Sequence, residues 1–130
     1  MKKRVLIFDD DEDILEVCTI VLETNGFEVL TQNNCEEIVR KLSAFAPDVI
    51  LMDNKIPPLG GIQASQEIRA SAKFKDLPIV FFSANQDVRG LAKEAGAEYF
   101  IEKPFDLDRL VDLIDQACDD GAPREGEIGF

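Results

Sequence analysis

The chain has no histidine and no tryptophan, one tyrosine and three cysteines among 130 residues, and 14 Lys or Arg stand against 26 Asp or Glu. Without histidine, Ser/His/Asp and Cys/His nucleophile pairs, His-ligated zinc and a phosphohistidine on this chain are all excluded. Cys18, Cys35 and Cys118 are odd in number and widely spaced, with no CxxC pair. They suit neither a thiolate metal site nor a disulfide framework and read as small core hydrophobes. No segment approaches the roughly 20 apolar residues of a membrane span. After Lys2, Lys3 and Arg4 the apolar run Val5 to Phe8 gives way at once to five acids, too short a run for a signal peptide. A cytoplasmic location is therefore expected, with no membrane partner. The formal net charge of −12 also opposes attraction to nucleic acid, so no direct nucleic-acid role is expected.

What is present suits one globular domain, since 45% of residues are hydrophobic and a chain of this length buries roughly two thirds of its unfolded surface. Four apolar runs are continuous rather than alternating and read as buried strands: Val5 to Phe8, Val49 to Met52, Ile79 to Phe82 and Tyr99 to Ile101. Phe27 to Leu30 is a weaker fifth. Between them, Ile14, Leu15, Cys18, Val21 and Leu22 share one helical face, closed by Asn25-Gly26. Asn34 and Glu37 have capping-box spacing, opening a second helix with Ile38, Val39 and Leu42 inward. A third is expected over Ile62 to Ser71, a fourth over Gln86 to Ala95 ended by Gly96. A fifth is expected over Asp106 to Cys118, with Leu107, Leu110, Leu113, Ile114 and Ala117 on its apolar face. Strands alternating with helices predict an α/β fold, a doubly wound five-stranded parallel sheet with five helices covering both faces. The domain is expected over 1–118, with 119–130 a flexible acidic tail.

In such sheets ligands sit at the carboxyl ends of the strands. Asp9 and Asp10 follow the first strand, Asp53 the third and Ser83 the fourth, and Lys103 lies just after the fifth. Three carboxylates at one edge repel by something like 4 kcal/mol per pair at about 4 Å and an effective dielectric near 20. A cation is implied, and oxygen donors suit Mg²⁺, with Mn²⁺ as the alternative. Mg²⁺ bound by few carboxylates is commonly completed by phosphoryl oxygens, which Lys103 and the Ser83 hydroxyl are equipped to contact. With histidine absent, the nucleophile left is a carboxylate, able to form an acyl phosphate. Singly, each residue has an ordinary explanation: Asp11 to Asp13 a solvated helix start, Asp53 a turn residue before Pro57-Pro58, Ser83 a helix cap, Lys103 a surface lysine. Four strand ends carrying the required residue types argue for a site.

These segments resemble the receiver domain of two-component response regulators over about residues 3 to 118. The motifs are Val5-Leu-Ile-Phe-Asp-Asp10, Asp48-Val-Ile-Leu-Met-Asp53 followed by Ile56-Pro57, Pro78-Ile-Val-Phe-Phe-Ser-Ala84 and Glu102-Lys-Pro-Phe105. The resemblance implies a flavodoxin-like (βα)5 fold of three α/β/α layers. It makes Asp53 the phosphoacceptor, taking a phosphoryl group in trans from a phosphohistidine of a sensor histidine kinase or a histidine phosphotransfer protein. It further implies Mg²⁺ ligation by Asp10, Asp53 and the Lys55 backbone carbonyl, with Asp9 acting largely through water. Ser83 and Lys103 would contact the phosphoryl oxygens, and Phe100 would be the switch aromatic. The domain would catalyse its own phosphorylation and dephosphorylation, and signal through the helix 4, strand 5 and helix 5 face to a protein partner or a second copy.

Gly60-Gly61 stands where the family often has Asp-Gly, and Lys55 and Asn85 occupy positions that tune dephosphorylation in the family. No output domain follows residue 118, so the expectation is a stand-alone regulator or a piece of a longer protein. Two other readings fit parts of the pattern: a receiver-like docking module that is not phosphorylated, and a haloacid-dehalogenase-like phosphatase using Asp9 in a DxD motif. Residues 105–130 carry eight acids and two bases, half of the whole acidic surplus. The partner of the fifth helix is thus expected to be basic or to tolerate an acidic rim.

Overall fold

Successive side chains on a strand point to opposite faces, so a strand that is apolar at every position must be covered on both. In the computed structural model, which describes residues 2–84 and 86–121, with the side chains of 120 and 121 left aside, three strands meet that condition. These are β1 (Arg4–Phe8), β3 (Val49–Asp53) and β4 (Ile79–Ser83), buried throughout apart from Arg4. They form the centre of a five-stranded sheet of order β2-β1-β3-β4-β5, with β2 (Glu28–Gln32) and β5 (Tyr99–Glu102) at its edges. Every pairing is parallel.

The helices are α1 (Glu12–Thr24), α2 (Ile38–Phe45), α3 (Gly61–Ala70), α4 (Val88–Ala95) and α5 (Leu107–Gly121). One face of the sheet presents Leu6, Phe8, Ile50, Met52 and Phe81 to Ile38, Leu42, Ala64, Ile68 and Ala92 of α2, α3 and α4. The other presents Val5, Ile7, Leu51, Val80 and Phe82 to Leu15, Cys18, Leu22, Leu110, Ile114 and Ala117 of α1 and α5. This is the expected three-layer, doubly wound architecture. All three cysteines are buried as core residues. Full burial of one Leu, Ile or Phe side chain contributes about 1.5–3 kcal/mol, so the two cores dominate stability.

The element boundaries depart from the sequence reading where polar groups intervene. β2 runs on to Gln32 because an edge strand is only half covered, and polar Thr31 and Gln32 belong in it. Asn34 does not cap α2: its side chain accepts from the Glu36 amide at 3.0 Å in a local turn. Glu37, left-handed at φ 50°, precedes the helix without capping it by its side chain. α4 begins at Val88, capped by Asp87 through the Gly90 amide, so Ser83 is not its cap. Leu107 is 36% exposed instead of joining the α5 core face. α5 continues to Gly121, and the rest of the expected tail, like Asn85, lies outside the described residues.

Candidate functional site

The strand order turns at β1, which lies between β2 and β3, so the carboxyl ends of β1 and β3 open a crevice. Backbone pairing carries each site residue to that crevice. The Asp9 amide donates to Gln32 O at 3.1 Å, continuing the β1–β2 ladder, and the Lys103 amide donates to Ser83 O at 2.9 Å, continuing β4–β5. Asp53 and Ser83 are the last residues of β3 and β4, one position inside the strands instead of just after them. Asp9, Asp10, Asp53, Lys55, Ser83 and Lys103 line one cavity of about 330 Å³.

Lys103 bridges two of the cavity's carboxylates. Its Nζ lies 2.8 Å from Asp53 Oδ1 and 3.0 Å from Asp9 Oδ2, and 4.4 Å from the centroid of the Phe82 ring. Burial alone would lower the Lys103 pKa, but its hydrogen bonds to Asp53 and then Asp9 outweigh that and hold it above the ordinary lysine value. The second oxygens are held by backbone: Asp9 Oδ1 accepts from the Asp11 amide at 2.9 Å, and Asp53 Oδ2 from the Lys55 amide at 3.1 Å. Asp9 is fully buried, and that burial raises its pKa. The Asp11 and Lys103 hydrogen bonds work against the rise, and the neighbouring Asp53 charge adds to it.

Carboxylate oxygens of Asp9, Asp10 and Asp53 all lie within 4.8 Å of one another, with Asp10 exposed and the other two buried. Three hard oxygen donors so close together fit a small divalent cation such as Mg²⁺. Asp11, the fourth acid at this edge, serves α1: its carboxylate accepts from the Asp13 and Ile14 amides as N-cap. Asn54 and Ala84 also line the cavity. They and Phe82 carry no titratable signal, and only their places beside Asp53 and Ser83 would have pointed to them. Phe100 stands apart from the cavity, half-buried, with the Arg89 guanidinium 5.4 Å from its ring centroid.

Residues 5–115 match the response regulator receiver domain. The chain is 35% identical over 118 residues to the phosphate regulon transcriptional regulatory protein PhoB of Escherichia coli, covering 88% of this chain and 51% of that protein. It is 32% identical over 116 residues to the CAI-1 autoinducer sensor kinase/phosphatase CqsS of Vibrio cholerae, covering 87% of this chain and 17% of that one. Among solved structures, the receiver domain of a Pseudomonas aeruginosa sensor histidine kinase superposes with a TM-score of 0.83 at 27% identity. That match covers 92% of this chain and 99% of the other, which has a magnesium ion coordinated in its active site cleft. The chain belongs to the response regulator receiver domain family, the signalling domains of two-component systems. It spans about half or less of the length of these two curated relatives.

Proposed function

We propose that this receiver takes a phosphoryl group onto Asp53 from a phosphohistidine of a sensor histidine kinase or phosphotransfer protein. The observation that carries the reading is the Lys103 ammonium bridging two buried carboxylates, Asp53 at 2.8 Å and Asp9 at 3.0 Å, at the rim of an acidic cavity. An Asp53 oxygen forms the new O–P bond as the P–N bond of the donor breaks, and the leaving imidazole keeps the electron pair. Transfer through a loose transition state needs positioning and charge neutralisation more than covalent help. Lys103, freed from Asp53 as the carboxylate is esterified, turns its charge to a phosphoryl oxygen, and the Ser83 hydroxyl donates to another.

Asp9, Asp10, Asp53 and the Lys55 carbonyl would hold Mg²⁺, which would supply neutralisation of the phosphoryl oxygens. The same residues, with water as the nucleophile, would let the domain remove its own phosphoryl group. Phe100 and the face of α4, β5 and α5 form the proposed output surface, reached by a protein partner or a second copy once charge is added at Asp53. A cytoplasmic site of action goes with a kinase donor, and no helix among the described residues is long and apolar enough to cross a membrane.

The test is incubation with acetyl phosphate and Mg²⁺, followed by intact-mass analysis. One hydroxylamine-labile phosphoryl group is expected on the wild type, lost with chelator and absent from Asp53→Asn. Steady turnover of a phosphate ester that survives Asp53→Asn and is lost in Asp9→Asn would support the phosphatase reading instead, and no adduct at all the docking module.

A further inference from the structure

The loop after Asp53 doubles back so tightly that the first residue of α3 lies against the strand it left. A Cβ built on Gly61 would fall 2.2 Å from the Asp53 carbonyl oxygen, 2.9 Å from the Asp53 carbonyl carbon and 3.0 Å from the Asn54 Cα. All three are backbone atoms, and real Cβ contacts essentially never come inside 3.0 Å. The approach is fixed from both sides: the Gly61 amide donates to Asn54 O at 2.8 Å, and the Asn54 amide donates to Phe82 O at 3.1 Å. Asp53 itself is locked in β3, paired with Phe82 of β4.

We infer that Gly61 is a positioning residue for the phosphoacceptor site, its missing side chain setting where the Asp53 carboxylate and the Lys55 carbonyl stand relative to Asp9, Asp10 and Lys103. The inference rests on the proposed Asp53 and Mg²⁺ reading. A methyl group at 61 must either push α3 away, breaking the Gly61–Asn54 hydrogen bond, or rotate the Asp53–Asn54 peptide. Either movement passes directly to Lys55, whose amide holds Asp53 Oδ2 at 3.1 Å. Displacements near 1 Å in a transfer site cost on the order of 100-fold in rate. Gly60 next to it differs in kind: it needs its positive φ of 88°, but a Cβ there meets only Asn54 O at 3.7 Å. Gly61 thus acts through contact with the site and not through an unusual backbone conformation.

The experiment compares Gly61→Ala with Gly26→Ala. Gly26, at φ 91° with nothing within 4 Å of its Cβ, follows the far end of α1, so its substitution strains the fold away from the site. At temperatures well below both unfolding midpoints, Mg²⁺ affinity is read from amide shifts and the transfer rate from acetyl phosphate labelling. Gly61→Ala is expected to raise the Mg²⁺ half-saturation about 10-fold or more and slow labelling roughly 10- to 100-fold, while Gly26→Ala leaves both within about twofold. In the wild type, the Gly61 amide resonance is expected to move with Mg²⁺ at the same half-saturation as that of Lys55, a readout that decides the matter if Gly61→Ala does not fold. Wild-type affinity and rate in a folded Gly61→Ala, or a Gly61 amide that ignores Mg²⁺, overturns the inference. A wild type that takes no adduct on Asp53 overturns the phosphoacceptor reading instead.

Discussion

Lys103 Nζ lies 2.8 Å from Asp53 Oδ1, joining the ends of β5 and β3 across a crevice in which the lysine side chain is 19% exposed. The pair is the electrostatic closure of the site. Replacing Lys103 with Met keeps the stem but leaves Asp9 and Asp53 buried and unpaired. Removing one partner of a buried pair costs about 3–5 kcal/mol, and the residual solvent contact here puts the loss near the lower end. Urea unfolding in chelator is expected to show it, with Mg²⁺ stabilising the variant more than the wild type because the ion supplies the missing charge. Equal stability of variant and wild type in chelator would contradict this.

Burial raises the Asp9 pKa despite its hydrogen bonds to the Asp11 amide and Lys103. A carboxyl whose folded pKa exceeds its unfolded value contributes stability below the unfolded value and loses it as pH rises through the folded one. In metal-free buffer, Asp9→Asn should therefore gain stability relative to the wild type as pH rises from about 4 toward 7. Paired urea titrations check this, and a difference that stays constant with pH, or reverses, contradicts it.

Burial, and then the Asp9 charge, push the Cys18 thiol up to about 12. Burial, and then Asp48, do the same at Cys118, also to about 12. Thiolate is the reactive form, so neither residue is expected to take iodoacetamide in the native protein near pH 8, and both should label once urea unfolds it. Peptide mapping after each treatment reads the outcome. Rapid native labelling of Cys18 or Cys118 would contradict their reading as inert core residues.

Phe100 is half-buried under Arg89, in a contact of a kind that contributes about 0.5–1 kcal/mol at exposed sites. Such a weak cap is easily exchanged for another arrangement. Loading the site with beryllofluoride should change amide exchange over α4 and β5, and Arg89→Ala should shift the unloaded pattern toward the loaded one. Identical exchange with and without beryllofluoride removes Phe100 from the switch.

The strands at the centre of the sheet were legible because burial on both faces demands an unbroken apolar run, as in Val49–Met52 and Ile79–Phe82. The same logic put Asp9, Asp53, Ser83 and Lys103 at strand ends, and the structure brings them into one cavity. Edges were less legible: β2 includes Thr31 and Gln32 because ladder hydrogen bonds, not apolar side chains, extend it. Helix starts are less legible where polar side chains act locally: Asn34 turns its side chain to the Glu36 amide instead of capping α2, and α4, expected from Gln86, starts at Val88 behind the Asp87 cap. The role of Gly61 is not legible in the sequence, because the close approach that makes it matter appears only when α3 folds back onto Asp53.

The Asp53 carboxylate as nucleophile is tested most directly by locating the adduct. After acetyl phosphate and Mg²⁺ treatment, borohydride reduction converts an aspartyl phosphate to homoserine, and peptide sequencing by mass spectrometry places it. Homoserine is expected at position 53, with intact aspartate at positions 9 and 10. Homoserine at position 9, or an undiminished adduct in Asp53→Asn, would contradict it.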